Sequence, residues 1–112
     1  MNKHTSKNDA LVGIWRSAAE FGSDVAYRVS KKKTGYSVVV QDTGDGERAD
    51  VFEEKWDAAK GIFSFATHWN STGRFLRCRL QAASKKQVEL TYTYTDTDVL
   101  VRADAKADGD MS

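Results

Sequence analysis

Val88-Glu89-Leu90-Thr91-Tyr92-Thr93-Tyr94 puts its large apolar and aromatic side chains on even numbers and its polar ones on odd. A period of two places each set on one side of an extended chain, so this run reads as a β-strand with one buried face. The alternation recurs upstream. Val25, Tyr27 and Val29 share a face, with Ala26, Arg28 and Ser30 opposite. Phe63, Phe65, Thr67 and Trp69 share another, as do Leu76, Cys78 and Leu80. Helical spacing shows only weakly, around Ser17–Gly22. The chain reads as all-β.

Turn clusters separate these runs at regular distances. They are Lys31-Lys32-Lys33-Thr34-Gly35, Asp42-Thr43-Gly44-Asp45-Gly46, Asp57-Ala58-Ala59-Lys60-Gly61, Asn70-Ser71-Thr72-Gly73 and Ala83-Ser84-Lys85-Lys86. Proline is absent, so Gly, Asp, Asn, Ser and Lys mark every break. Loops of hairpin length join antiparallel neighbours, because a parallel crossover needs about a dozen residues or more. Eight candidate strands follow, at 11–17, 25–31, 35–42, 48–56, 61–69, 74–82, 87–95 and 98–103. Closing the meander covers its apolar face and removes its edges, whereas two stacked sheets would need longer crossing connections. The expected architecture is an antiparallel up-and-down meander closing into a small eight-stranded barrel.

The 112 residues suffice for one domain, and 40% hydrophobic with 29% charged residues is globular composition. Seventeen Lys and Arg against sixteen Asp and Glu give a net charge of +1, which carries no bulk signal for nucleic acid. No apolar run approaches the roughly 20 residues of a membrane helix. Residues 1–9 and 103–112 are polar or Ala-Asp-rich and are expected to be disordered ends of a single domain, 10–102. A lone cysteine, Cys78, forms no internal disulfide and supplies no four-cysteine metal site. Together with the polar stretch Met1–Asp9, it sets a cytoplasmic expectation.

The first strand reads Leu11-Val12-Gly13-Ile14-Trp15-Arg16, and the last reads Val99-Leu100-Val101-Arg102. Gly-x-Trp heading an eight-stranded meander resembles the calycins, the group of lipocalins, fatty-acid-binding proteins and the avidin type. The resemblance spans residues 11–102 on two matched positions. It implies a lipocalin-like barrel in which Gly13, Trp15 and Arg102 close one end, with the guanidinium packed across the indole. Secreted lipocalins are longer and carry disulfides and an appended helix. The length here looks more like the avidin type or a compact bacterial lipocalin-like domain. Avidin's ligand-binding residues have no counterpart, so biotin is not implied.

Within such a barrel, Trp56, Trp69, Tyr92 and Tyr94 are the large side chains expected to line the interior. They would grip a flat apolar ligand, or else simply fill the core. Glu54 shares that interior if Phe52 and Trp56 both face inward, and would then orient a ligand's polar end. A bulge would instead turn Glu54 outside beside Lys55. Cys78 lies between Leu76 and Leu80, while Arg77 and Arg79 point the other way, so it reads as an inert buried thiol. His4 falls in the N-terminal segment and His68 faces away from Trp69, which leaves no metal site in prospect.

Asp42-Thr43-Gly44 resembles the Asp-Thr-Gly motif of retroviral-type aspartic proteases, small all-β homodimers. Gln41, however, occupies the usual apolar position before the aspartate, and Gly44-Asp45-Gly46 continues as a charged turn. Gly44-x-Gly46-x-x-Ala49 mimics a dinucleotide fingerprint but leads into a strand rather than a helix. Asp42, Asp45 and Glu47 lack calcium-loop spacing. Asn70-Ser71-Thr72 fits a glycosylation sequon. Lys31–Lys33, Lys85-Lys86 and Arg74, Arg77 and Arg79 either form a basic strip for single-stranded nucleic acid or keep turns and a solvated face soluble.

The sequence therefore sets up a non-enzymatic, cofactor-free barrel that binds a small, mainly apolar ligand at one end. Trp56, Trp69, Tyr92 and Tyr94 would contact the ligand and Glu54 would orient it. The alternative is a filled barrel acting as a protein-interaction module or homodimer through Arg77, Arg79 and the Lys31–Lys33 turn. An aspartic-protease-like enzyme using Asp42 comes third.

Overall fold

The computed structural model describes residues 9–19, 22–95 and 98–103. The predicted N-terminal segment up to residue 8, with His4, and the tail from residue 104 lie outside the described residues. Seven antiparallel strands run in chain order: β1 (Gly13–Arg16), β2 (Val25–Lys32), β3 (Gly35–Asp42), β4 (Asp50–Asp57), β5 (Ile62–Trp69), β6 (Arg74–Ser84) and β7 (Gln87–Thr95). No helix occurs among the described residues. The first seven predicted strands thus appear within about two residues of their expected bounds. The eighth does not: residues 98–103 belong to no strand.

The meander divides into two sheets, β1-β2-β3 and β4-β5-β6-β7, and no closed barrel forms among the described residues. The division lies between β3 and β4. These two strands begin as a hairpin, with Gln41 bridged to Arg48, the Asp42 amide donating to the Glu47 carbonyl (2.8 Å) and the Ala49 amide donating to the Val40 carbonyl (3.0 Å). Beyond Ala49 no further ladder is formed between them among the described residues, and the pairing of β4 with β5 carries a β-bulge between Phe52 and Lys55, where Glu53 adopts φ 57°. A bulge bends its strand and sharpens the local twist. The Glu54 side chain still reaches β3: the Val38 amide donates to Glu54 Oε2 at 2.9 Å.

Both sheets turn their apolar faces onto one core, formed by Leu11, Val29, Tyr36, Val38, Val40, Phe63, Phe65, Cys78 and Leu80. Aromatic contacts stitch the sheets together, with Tyr36 packed against Phe63 (5.6 Å between ring centroids) and Tyr27 against Phe65 (6.4 Å). Tyr36 also meets Trp56 edge-on at 4.8 Å. Glycine suits the close approach of β3 to β4 at this point, since a Cβ on Gly35 would lie 3.0 Å from that of Trp56.

The end of the core near residue 9 is fastened by a polar cluster. Asp9 belongs to the packed domain although its neighbours in sequence suggested otherwise. The Tyr36 hydroxyl donates to its carboxylate (2.7 and 2.9 Å), the Leu11 amide donates to Oδ1 (3.1 Å), and Lys31 Nζ stands 3.7 Å away. These bonds seat Leu11 in the core, just ahead of β1.

Candidate functional site

Trp15 is held from both sides. Its indole Nε1 donates to the Leu11 carbonyl at 2.9 Å, and its ring lies over Gly13. Gly13 adopts φ +148°, a conformation that L side chains rarely take, so the glycine of the Gly-x-Trp pair has a backbone reason. The register sets Gly13 against Val29 and Trp15 against Tyr27, which turns the indole to the apolar side of its sheet. The predicted partner of Trp15 is elsewhere: Arg102 is exposed and outside any strand. No cation stacks on the Trp15 ring among the described residues. The reason is local, since β7 does not pair with the segment that carries Arg102.

A cleft of about 720 Å³ opens on this side of the molecule, between β1–β2 and β6–β7. Its apolar wall comes from Trp15, Tyr27, Leu76, Leu90, Tyr92 and Tyr94. The β6–β7 register explains that wall, because it sets Leu76 opposite Tyr94, Cys78 opposite Tyr92 and Leu80 opposite Leu90. The even-numbered stripe that identifies β7 in the sequence therefore continues the core face outward. Val88 and Leu90 of the stripe are half-buried against the core; at Tyr92 and Tyr94 it is 54% and 56% exposed. Arg16, Arg74 and Lys86 also line the cleft, against Glu89 as its carboxylate, and Arg74 stacks on the Tyr94 ring at 4.9 Å.

The five residues expected to contact ligand separate into two groups. Tyr92 and Tyr94 meet in the cleft. Trp56 and Trp69 are half-buried against the core and lie outside its lining. Glu54 is exposed at the bulge and accepts the Val38 amide, so its carboxylate ties the sheets together. The bulge explains this placement: Phe52 pairs with Ala66 and Trp56 with Phe63, residues on opposite faces of β5. Phe52 and Trp56 consequently face opposite ways. Trp15 and Tyr27 are the cleft residues that sequence reasoning missed as ligand contacts. Their inward phase was legible, but their position beside the open edge was not.

The outer face of the second sheet carries a shallower hollow of about 490 Å³, walled in part by Lys55, Arg77 and Arg79. Arg77 pairs with Glu53 at 2.8 Å and lies 5.5 Å from the Phe75 ring, which stacks on Phe52. This exposed ion pair is worth at most about 1 kcal/mol. The cleft is the larger of the two and is continuous with the apolar core, which makes it the better receptacle for an apolar molecule.

No protein family, curated protein or solved structure matches this chain. The remaining chemical candidates are therefore judged on geometry. Asp42 sits in the β3–β4 turn, where its Oδ1 accepts the Gly44 amide at 2.8 Å and its carbonyl accepts the Gly46 amide at 2.8 Å. Those bonds give the Asp-Thr-Gly run a structural use as a turn. His68 Nδ1 lies 3.9 Å from Asp50, and no group of three metal-type side chains assembles among the described residues. No described helix is long and apolar enough to cross a membrane.

Cys78 is buried between the sheets, and burial pushes its thiol up to about 11, a hydrogen bond with Thr67 pulling slightly the other way. Against an ordinary value of 9, that leaves about a hundredfold less thiolate at neutral pH. Alkylation by iodoacetamide at pH 8 is expected to be at least about a hundredfold slower in the folded chain than in denaturant. Mass spectrometry of quenched time points reads both rates, and equal rates would place the thiol at the surface.

Proposed function

We propose that this chain is a lipocalin-like binding protein that holds a small, mainly apolar ligand bearing an acidic group. The ligand lies in the cleft between β1–β2 and β6–β7. The observation that carries this reading is the cleft itself. It is a hollow of about 720 Å³, within the range of small-molecule sites, and its aromatic wall is continuous with the core. Trp15, Tyr27, Tyr92 and Tyr94 supply flat apolar surface, while the tyrosine hydroxyls provide polar handles. Among the described lining residues, Arg16 and Lys86 stand against the single carboxylate of Glu89 and favour an anionic group on the ligand. The reading is non-catalytic. The site moves from a barrel end, where the sequence pointed, to the open side of the meander.

The fluorescent sulfonate 8-anilinonaphthalene-1-sulfonate has this chemistry and serves as the probe. Saturable binding with blue-shifted emission is expected for the folded chain. Tyr92→Ala should weaken it about tenfold, the equivalent of burying a good part of one aromatic ring. Trp56→Ala should leave affinity unchanged while lowering stability. Equal affinities for Tyr92→Ala and the unaltered chain would remove the cleft as the site.

A further inference from the structure

Among the described residues β7 has one neighbour, and the cleft lies beside its free edge. In the second sheet β7 is an edge strand of nine residues, Gln87–Thr95, bonded to β6 alone. Its sequence from Val88 to Thr95 holds one charge, Glu89, and no lysine or proline. Those are the features that usually keep an edge from accepting another strand, so this edge is open to pairing. Shortly beyond it stands the most exposed apolar run among the described residues: Val99, Leu100 and Val101 are 82%, 84% and 86% exposed. An unpaired edge and an uncovered apolar segment thus adjoin each other in the same chain.

We infer that residues 98–103, exposed and in no strand in this structure, are a strap that can add to the β7 edge as an eighth strand and wall the open side of the cleft. What the strap covers rests on the ligand-binding reading; where it docks does not. Chain length fixes the register. Two residues separate Thr95 from Asp98, and this chain already turns hairpins on two residues twice. Lys32 pairs with Gly35 across Lys33-Thr34, and Ser84 pairs with Gln87 across Lys85-Lys86. The docked register that sets Thr95 opposite Asp98 also sets Tyr94 opposite Val99, Thr93 opposite Leu100, Tyr92 opposite Val101 and Thr91 opposite Arg102. Paired residues share a face of the sheet. Val99 and Val101 therefore join Tyr94 and Tyr92 on the cleft side, while Asp98 and Arg102 take the solvent side. A register shifted by one residue would turn both charges into the cleft and both valines out of it, so polarity and connection length select the same pairing. Arg102 then lies on the face away from Trp15, and the strap closes the molecule without the arginine–tryptophan contact that the calycin resemblance implied.

Amide hydrogen exchange on the unaltered chain tests the docking. Protection of Val99, Leu100 and Val101 at least tenfold above that expected for unstructured peptide is the result that supports it. Exchange at the unstructured rate throughout residues 98–103 overturns it. Register and ownership are read in a Cys78→Ala background. Thr93→Cys/Leu100→Cys should oxidise to a disulfide within one chain, severalfold faster than the out-of-register pair Thr93→Cys/Val101→Cys. Equal rates would reject the register, and a disulfide joining two chains would assign the edge to a second copy. Binding of 8-anilinonaphthalene-1-sulfonate is scored separately through Tyr92→Ala, so loss of the ligand reading and loss of the strap are distinguishable.

Discussion

Phe63→Ala is expected to cost about 3–5 kcal/mol of folding stability, the usual range for deleting a fully buried aromatic ring. Phe63 is 0% exposed and lies 5.6 Å from Tyr36 of the other sheet and 5.4 Å from Phe65 on its own strand. Its ring is therefore shared between the two sheets. The loss combines transfer free energy with a cavity that neither sheet can fill by shifting alone. At about 4–8 °C per kcal/mol for a domain of this size, the melting temperature should fall by more than about 12 °C. Phe52 provides the contrast. It is 43% exposed on the outer face, and Phe52→Ala should cost less than about 1 kcal/mol. Urea titrations of both variants make the measurement. A Phe63→Ala loss no larger than that of Phe52→Ala would show that the sheets do not share this core.

Asp9→Ala should have the next largest effect, about 2–4 kcal/mol. The carboxylate accepts from the Tyr36 hydroxyl and the Leu11 amide and stands beside Lys31, with its side chain only 9% exposed. Hydrogen bonds to a charged group are worth about 1.5–3 kcal/mol, and removing the acceptor leaves the buried Tyr36 hydroxyl without this partner. The same logic predicts a rescue. In a Tyr36→Phe background the hydroxyl is already gone, so Asp9→Ala should cost at least about 1 kcal/mol less there. A double-mutant cycle measured by denaturant unfolding tests the coupling, and strictly additive losses would mean that Asp9 does not hold Tyr36.

The same two sheets fix the response to alkali. Burial, then the hydrogen bond to Asp9 and its charge, hold the Tyr36 hydroxyl above its ordinary range. Burial, with smaller contributions from Cys78 and Tyr92, pushes Tyr27 up to about 12, and Cys78 reaches about 11. All three shifts are upward, so the folded state binds these protons more tightly than the unfolded state. Their stabilisation is complete below the ordinary values of 9 and 10 and is lost as pH rises through about 11 and 12. Asp9→Ala removes two of the influences on Tyr36 and should soften the alkaline loss of stability.

Local periodicity determined most of the strands. The alternation in β2, β5 and β6 identified the core-facing residues, and in β7 it sorted the two faces although Tyr92 and Tyr94 stay exposed, because side-chain direction in a strand repeats every two residues whatever the partner. Turn spacing likewise made antiparallel neighbours of consecutive strands, and Gly13 with Trp15 marked the local contact that opens β1. Asp42 was legible as a turn residue for the same reason, since its bonds reach only a few residues away.

Tertiary structure decided what those strands enclose. Periodicity carries no information about a single inserted residue, so the bulge after Phe52 reversed the phase of β4 and diverted Glu54 to the Val38 amide. Nor does it say which residues stand beside an edge. Trp15 and Tyr27 line the cleft, and Trp56 and Trp69 do not, because of how two sheets are set against each other across the core. Asp9 has polar neighbours on its N-terminal side that mark it as tail, yet Tyr36, 27 residues away, anchors it. Side-chain phase is a property of each strand and is written in its own residues. The gap between two sheets is a property of their packing, and no one segment of the chain contains it.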